Sequence, residues 1–139
     1  MTDSNTSSSG PLDIVVLWVD GEDPVWKKEF MIYRDSELGD KSESRFRDWR
    51  FLRYWFRSVE KYLPWVRTIH FVTWGHLPDW LKTDHPKLNI VLHRDFLNPE
   101  YLPVFSSRAI ECNLHRIKGL SDSFVYFNDD TFVLKSLPE

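Results

Sequence analysis

The run Leu-Asp-Ile-Val-Val-Leu-Trp-Val at residues 12–19, closed by Asp-Gly-Glu-Asp-Pro at 20–24, constrains this chain more than any other feature. It is short, apolar and β-branched, and it stops at a Gly/Pro turn, which marks a buried strand rather than a helix. Pro24 suits the first position of a following helix over 25–33, with Asp23 as its N-cap. Thr-Ile-His-Phe-Val-Thr (68–73), Leu-Asn-Ile-Val-Leu-His (88–93) and Phe-Val-Tyr-Phe-Asn (124–128) read as three further strands. The clearest helix spans 49–63, where Phe51, Leu52, Trp55, Phe56, Val59, Tyr62 and Leu63 recur at helical spacing. Asp48 is its expected cap and Pro64 its stop. Trp80 and Leu81 read as a short helical turn. A second helix is expected over 106–117, with Ala109, Ile110, Leu114 and Ile117 on one side and Gly119 beyond its end.

This alternation predicts an α/β fold: an open, mostly parallel sheet with flanking helices. Residues 1–11 are polar and Ser-rich and read as a disordered tail, leaving 12–139 as the folded unit. Residues 35–44, with Gly39, read as a surface loop. The chain stops after the strand-like Thr-Phe-Val-Leu without a closing helix, the pattern of an incomplete domain.

Charge narrows the function classes. Lys plus Arg number 18 and Asp plus Glu 21, a net charge of −3 that argues against holding nucleic acid by bulk charge. The single cysteine, Cys112, excludes an internal disulfide and a four-thiolate zinc site, and reads as a small buried residue. No apolar run approaches the ~20 residues that span a bilayer, and the N-terminus lacks the pattern of a secretory signal, so the expected location is cytoplasmic.

Ligands of open α/β sheets gather at the carboxyl ends of strands. Two acidic loops are expected there: Asp20-Gly21-Glu22-Asp23 and Asn128-Asp129-Asp130. Carboxylates so placed suit Mg²⁺ or Mn²⁺ shared with substrate phosphates, although either loop alone is as well explained by a turn or a helix cap. Arg45, Arg47, Arg50, Arg53 and Arg57 are dense enough to grip a diphosphate, and Arg50, Arg53, Arg57 and Lys61 share a helical face. On composition alone, a solvated face paired with Asp48 and Glu60 is the more common use of such a pattern. Glu111 and His115 stand four apart on one expected helix face, as an acid–base couple or a surface pair. His70, His76, His85 and His93 show no ligand spacing and read as structural or exposed. A haloacid-dehalogenase reading of Val-Asp-Gly-Glu-Asp fails, because Trp18 stands where that chemistry needs an aspartate.

Longer motifs carry a resemblance. Residues 13–26 (D-I-V-V-L-W-V-D-G-E-D-P-V-W) resemble the first block of the Stealth family. R-F-R-D-W (45–49), L-R-Y-W-F-R-S-V-E-K-Y-L-P-W-V-R (52–67), H-F-V-T-W-G-H-L-P-D-W-L (70–81) and the segment 102–130 ending F-V-Y-F-N-D-D resemble its second. That family comprises bacterial capsular polysaccharide phosphotransferases and the N-acetylglucosamine-1-phosphotransferase that marks lysosomal enzymes. The resemblance implies a glycosyltransferase-A-like core that moves a sugar 1-phosphate from a UDP-sugar to a hydroxyl of an oligosaccharide or polysaccharide acceptor, releasing UMP. It places Trp18, Asp20, Gly21 and Asp23 by the nucleotide, and Glu111, Asp129 and Asp130 in the active site. Asp129 and Asp130 are the implied metal ligands, Glu111 and Asp130 the implied catalytic groups, and Arg47 and Arg53 the implied phosphate contacts. Peripheral association with the inner face of the membrane through the biosynthetic machinery, and self-association through an aromatic patch, complete the partner expectations; nucleic acid is not among them. Three features depart from the family: Thr73-Trp74-Gly75 stands where many members read Thr-Asp-Gly, Trp55-Phe56 stands where smaller residues are common, and two further blocks, carrying a histidine and an arginine, have no counterpart before Glu139. The competing readings are a glycosyltransferase that releases UDP and a non-catalytic remnant that binds nucleotide-sugar.

Overall fold

The computed structural model describes residues 10–35, 42 and 46–138. The polar tail at 1–9 and most of the loop expected at 35–44, together with Arg45, lie outside the described residues. Four strands, β1 (Leu12–Trp18), β2 (Ile69–Thr73), β3 (Leu88–Leu92) and β4 (Ser123–Asn128), form one sheet in the order β3-β2-β1-β4. Every pairing is parallel, with Val16 level with Phe71 of β2 and Phe127 of β4. The expected α/β sheet is thus present, and its described strands are parallel throughout.

β1 is central, and its apolar run supplies both cores. Ile14, Val16 and Trp18 join Phe71 on one face, beneath Leu52, Trp55 and Val59 of α2 (Leu52–Tyr62). Val15 joins Val72 and Val91 on the other, against Phe96 of α3 (His93–Phe96), Ile110 of α4 (Ser107–Glu111), and Leu114 and Ile117 beyond it. A third, aromatic cluster binds Trp26 and Phe30 of α1 (Pro24–Tyr33) to Phe105 and Phe46. Trp55 is fully buried, whereas Trp65 is half-buried and its Nε1 donates to the Leu137 carbonyl at 3.2 Å. The ring whose truncation costs about 3–5 kcal/mol is therefore that of Trp55.

Helix boundaries follow side-chain chemistry. Asp23 caps α1 as expected, accepting from the backbone N–H of Val25 and Trp26 at 2.8 Å. The helix expected from residue 49 begins only at Leu52. Asp48 accepts from its near neighbour Arg50 N–H at 2.7 Å, and Arg50 takes a left-handed φ of 59° that a helix does not admit. The helix expected over 106–117 is also shorter. It ends at Glu111, Asn113 donates its side-chain amide to the Ala109 carbonyl at 2.9 Å, and Leu114–Arg116 forms a separate 3-10 turn. Cys112, just past the helix, is exposed rather than buried. Residues 131–134 form no strand; Phe132 and Val133 pack back against the α2 face of the sheet. Among the described residues, no helix is long and apolar enough to cross a membrane.

The amino edge of the sheet is held by a buried carboxylate. Asp13 receives Arg67 Nε at 2.9 Å and Nη2 at 2.6 Å, the Ser121 N–H at 2.9 Å and His70 Nε2 at 3.0 Å. The Asn89 amide lies 2.9 Å from His70 Nδ1, completing a chain from β3 to β1. Burial alone would raise the Asp13 pKa; the hydrogen bonds from Arg67, Ser121 and His70 outweigh it and hold the group down at about 2. Its folded pKa is below its unfolded value, so its contribution is complete above about pH 4 and disappears as pH falls through about 2. Asp13→Asn is expected to lower stability by about 3 kcal/mol at pH 7 and to flatten the acid limb. Urea unfolding of both proteins at pH 7 and pH 2.5 checks this, and equal differences at the two pH values would contradict it.

Candidate active site

The order β3-β2-β1-β4 makes β1 the strand where the chain changes direction across the sheet. The chain runs from β1 to β2 and β3 on one side and places β4 on the other, and a crevice lies beyond the carboxyl ends of β1 and β4. A cleft of about 400 Å³ occupies that position. Leu17, Trp18 and Val19 enter it from β1, and Tyr126, Asn128, Asp129 and Asp130 from β4. The segment Phe46–Phe51 straps across one side, and Val104, Phe105, Ser107 and Ile110 form another.

Asp129 is the electrostatic centre of the β4 side. Burial first, then the negative fields of Asp130 and Asp48, push its pKa up to about 6. A carboxylate crowded by two others calls for a cation. Two adjacent aspartates match the way Mg²⁺ or Mn²⁺ is held by one or two carboxylates plus substrate phosphates. Among the described residues, no three Asp, Glu, His or Cys side chains converge as a protein-only metal cage. The donor set therefore fits a metal shared with a ligand.

Arg47 lines the same cleft, its guanidinium 5.2 Å from the centre of the Trp49 ring. Two other arginines of the cluster go elsewhere. Arg53 lies over Trp80 at 5.3 Å and Arg57 over Tyr54 at 5.7 Å, on the exposed face of α2 and away from the cleft lining.

Glu111 does not line the cleft; it stands behind a residue that does. The Tyr126 hydroxyl lies 3.1 Å from Glu111 Oε1 and 2.8 Å from Asn128 Oδ1. Burial, with the Glu111 charge next, raises the phenol pKa well above its ordinary value, so the hydroxyl keeps its proton. The couple expected between Glu111 and His115 gives way to Glu111 with Tyr126, because the helix ends at Glu111 and His115 lies in the exposed 3-10 turn.

The Asp20–Asp23 loop follows β1 at the same edge of the sheet but adds no residue to the cleft lining. Asp20 accepts from Glu22 N–H at 2.9 Å, while its own N–H donates to His76 Nε2 at 2.8 Å. Asp23 caps α1 and lies 3.4 Å from His76 Nδ1. Burial lowers the His76 pKa in spite of these neighbouring carboxylates. Gly21 is buried where a Cβ would intrude on the Phe46 carbonyl, so only glycine lets the strap pass this close. Asp20, Gly21 and Asp23 thus shape the loop and the strap, and none of them lines the cleft.

Comparison with known proteins decides the family. Residues 45–139 match the family model described as Stealth protein CR2, conserved region 2. The chain belongs to the Stealth protein family. It is 52% identical over 130 residues to capsular polysaccharide phosphotransferase WcwK of Streptococcus pneumoniae, covering 92% of this chain and 40% of the relative. It is 45% identical over 130 residues to capsular polysaccharide phosphotransferase CpsJ of Streptococcus thermophilus, covering 91% and 55%. An exopolysaccharide phosphotransferase of Lactiplantibacillus plantarum is 44% identical over 128 residues, covering 91% and 38%. The chain spans between about two-fifths and just over half the length of these Stealth relatives.

The Stealth cleft also contains groups that local sequence patterns do not single out. His93, directly after β3, is 8% exposed, lines the cleft and has a buried Nδ1 without a hydrogen-bond partner. Burial first, then the nearby His76 ring, hold its pKa down to about 4. Trp18 is 6% exposed, and its buried Nε1 also lacks a partner. Knowing that β3 ends at Leu92 would have flagged His93, since the residue after a parallel strand sits where ligands bind.

The raised pKa of Asp129 carries a stability cost above its titration. The folded state holds that proton up to about pH 6 and the unfolded chain only to about 4, so stability falls as pH rises between them. Asp129→Asn in a chelating buffer is expected to be more stable than the parent at pH 7.5, on the order of 2 kcal/mol, and to match it at pH 4. Thermal unfolding at both pH values tests this; a variant less stable at pH 7.5 would refute the crowded-carboxylate reading.

Proposed function

We propose that this chain carries the donor site of a sugar-1-phosphate transferase of capsular or exopolysaccharide synthesis. The observation that carries the reading is the Asp129–Asp130 pair, with Arg47, in a cleft at the β1–β4 divergence of a Stealth-family chain. In this reading the donor is a UDP-sugar and the acceptor a glycan hydroxyl. The acceptor oxygen attacks the β-phosphorus, the bond from that phosphorus to the UMP oxygen breaks, and UMP leaves. The hydroxyl proton passes to a basic group, and the product is a phosphodiester between sugar and glycan.

The protein's work in such a reaction is positioning and charge neutralisation. Asp129 and Asp130 would hold Mg²⁺ or Mn²⁺, whose contribution is to neutralise charge on the diphosphate. Arg47 offers a planar donor fork to the phosphate oxygens. Tyr126, held protonated, shares its hydrogen between Glu111 and Asn128 and so helps orient the Asn128 side chain at the cleft wall. The capsular and exopolysaccharide phosphotransferase names of the relatives support phosphoryl transfer over glycosyl transfer.

The two chemistries leave different nucleotides. With a UDP-N-acetylhexosamine and an oligosaccharide acceptor, the expected product is UMP together with a phosphodiester-linked glycan. Chromatography that finds UDP and no phosphate in the linkage would establish the glycosyltransferase reading instead. Asp130→Asn is expected to reduce turnover by ~10²-fold or more, by analogy with loss of one charge-stabilising group. Because Asp130 is exposed, its melting temperature should stay at the parent value. Undiminished turnover would remove Asp130 from the site.

A further inference from the structure

The outer side of α2 carries a positive charge that the protein does not neutralise. Residues 46–62 hold five cations, Arg47, Arg50, Arg53, Arg57 and Lys61, against two carboxylates, in a chain whose net charge is −3. All five are exposed. The pairing with Asp48 and Glu60 that such a pattern commonly makes is not formed: among the described residues none of the five has an ion pair, and Asp48 is engaged by a backbone N–H. Four of them lie over aromatic rings instead, Arg47 over Trp49, Arg53 over Trp80, Arg57 over Tyr54 and Lys61 over Tyr62. A ring face steadies a cation without cancelling its charge, so its N–H donors remain open to an anion.

Position gives the patch a direction. Arg47 and Trp49 line the cleft, as does Leu52 at the start of α2, and no residue of the helix beyond Leu52 does. Arg53, Arg57 and Lys61 follow at four-residue intervals, which are steps of about 6 Å along the helix axis. The cations thus form a row that begins at the cleft and leads away from it, accompanied by the rings of Trp49 and Tyr54, which are 61% and 57% exposed.

We propose that this row is an acceptor track outside the cleft, and that the acceptor it takes is a glycan already bearing phosphodiesters rather than a neutral one. The proposal rests on the transfer reading above and adds the chemical class of the acceptor. Each transfer in that reading leaves one phosphodiester, and with it one negative charge. A glycan that has been extended once therefore differs from its neutral precursor in the property to which unpaired cations respond.

Two other anionic partners would use the same charge and fit the face less well. A lipid surface is met by a helix that buries apolar side chains beside its cations. The exposed residues of α2 are Arg53, Tyr54, Arg57, Glu60 and Lys61, and its apolar side is already buried against the sheet. A featureless polyanion needs charge alone and leaves the exposed rings without a role. A phosphodiester-bearing glycan uses both: the apolar faces of its sugars can lie on the rings, and its phosphate oxygens suit guanidinium forks. The start of the row in the cleft also suits a linear substrate whose end must reach a reacting phosphorus.

Calorimetry with two probes tests the track: a hexamer of N-acetylglucosamine joined by phosphodiesters, and chitohexaose, its neutral counterpart. The unmodified protein is expected to bind the charged hexamer ~10-fold or more tightly than the neutral one, and to lose that preference as salt is raised. Arg57→Gln combined with Lys61→Gln changes two exposed positions outside the cleft. It should weaken the charged hexamer by ~5-fold or more and leave chitohexaose and UDP unchanged. Tyr54→Ala should weaken the charged hexamer and leave inorganic polyphosphate unchanged. Equal affinity for the two hexamers, a charged hexamer indifferent to the double substitution, or polyphosphate bound as tightly as the charged hexamer would each overturn the track. Phosphatidylglycerol vesicles bound through Arg57 and Lys61, with the charged hexamer left unbound, would overturn it in favour of a membrane. All of these outcomes leave the transfer reading standing. Release of UDP in place of UMP is the result that overturns that reading, and the track falls with it.

Discussion

β1 is the strand on which everything else is hung. Ile14, Val15 and Val16 have no exposed surface, and parallel partners on both sides satisfy the backbone between them. Because alternate side chains enter opposite cores, one run of residues fixes α2 on one face and the α3–α4 region on the other. The same placement makes the cleft. With β2 and β3 laid to one side and β4 to the other, the cleft lies beyond Trp18 and Asn128 at the carboxyl ends of β1 and β4. At the opposite edge, Asp13 ties β1 to Arg67, His70 and Ser121, so the amino end is closed by charge while the carboxyl end stays open.

The cleft has two chemically distinct sides. On the β4 side, Asp129, Asp130 and Asp48 concentrate negative charge, with Arg47 as the adjacent cation. The lining also includes the buried residues Trp18 and His93 and the rings of Trp26, Phe105 and Tyr126. The strap at 46–51 contributes to the charged side, and its path is set by the bare backbone of Gly21 against Phe46.

The strands were legible in the sequence because β-branched runs bounded by turn residues admit few alternatives, and α1 because Asp23-Pro24 is a cap followed by a first-turn proline. The start of α2 was hidden by Asp48, whose carboxylate serves either a helix or a tight turn, and here serves the turn through Arg50. The segment after Glu111 misled for a different reason: Leu114 and Ile117, three apart, satisfy a 3-10 turn as readily as an α-helix. Of the residues expected at the site, Trp18, Arg47, Asp129 and Asp130 share the cleft, while Arg53 lies over a tryptophan on the far side of α2. His93 and Tyr126 were not legible, since their importance comes from which strand ends meet in space, and no local spacing encodes that.

Tyr126 has a single hydroxyl hydrogen and two oxygens within its reach, Glu111 Oε1 and Asn128 Oδ1. Only one can receive it at a time. The rotation of one O–H bond thus decides which of the two oxygens is served.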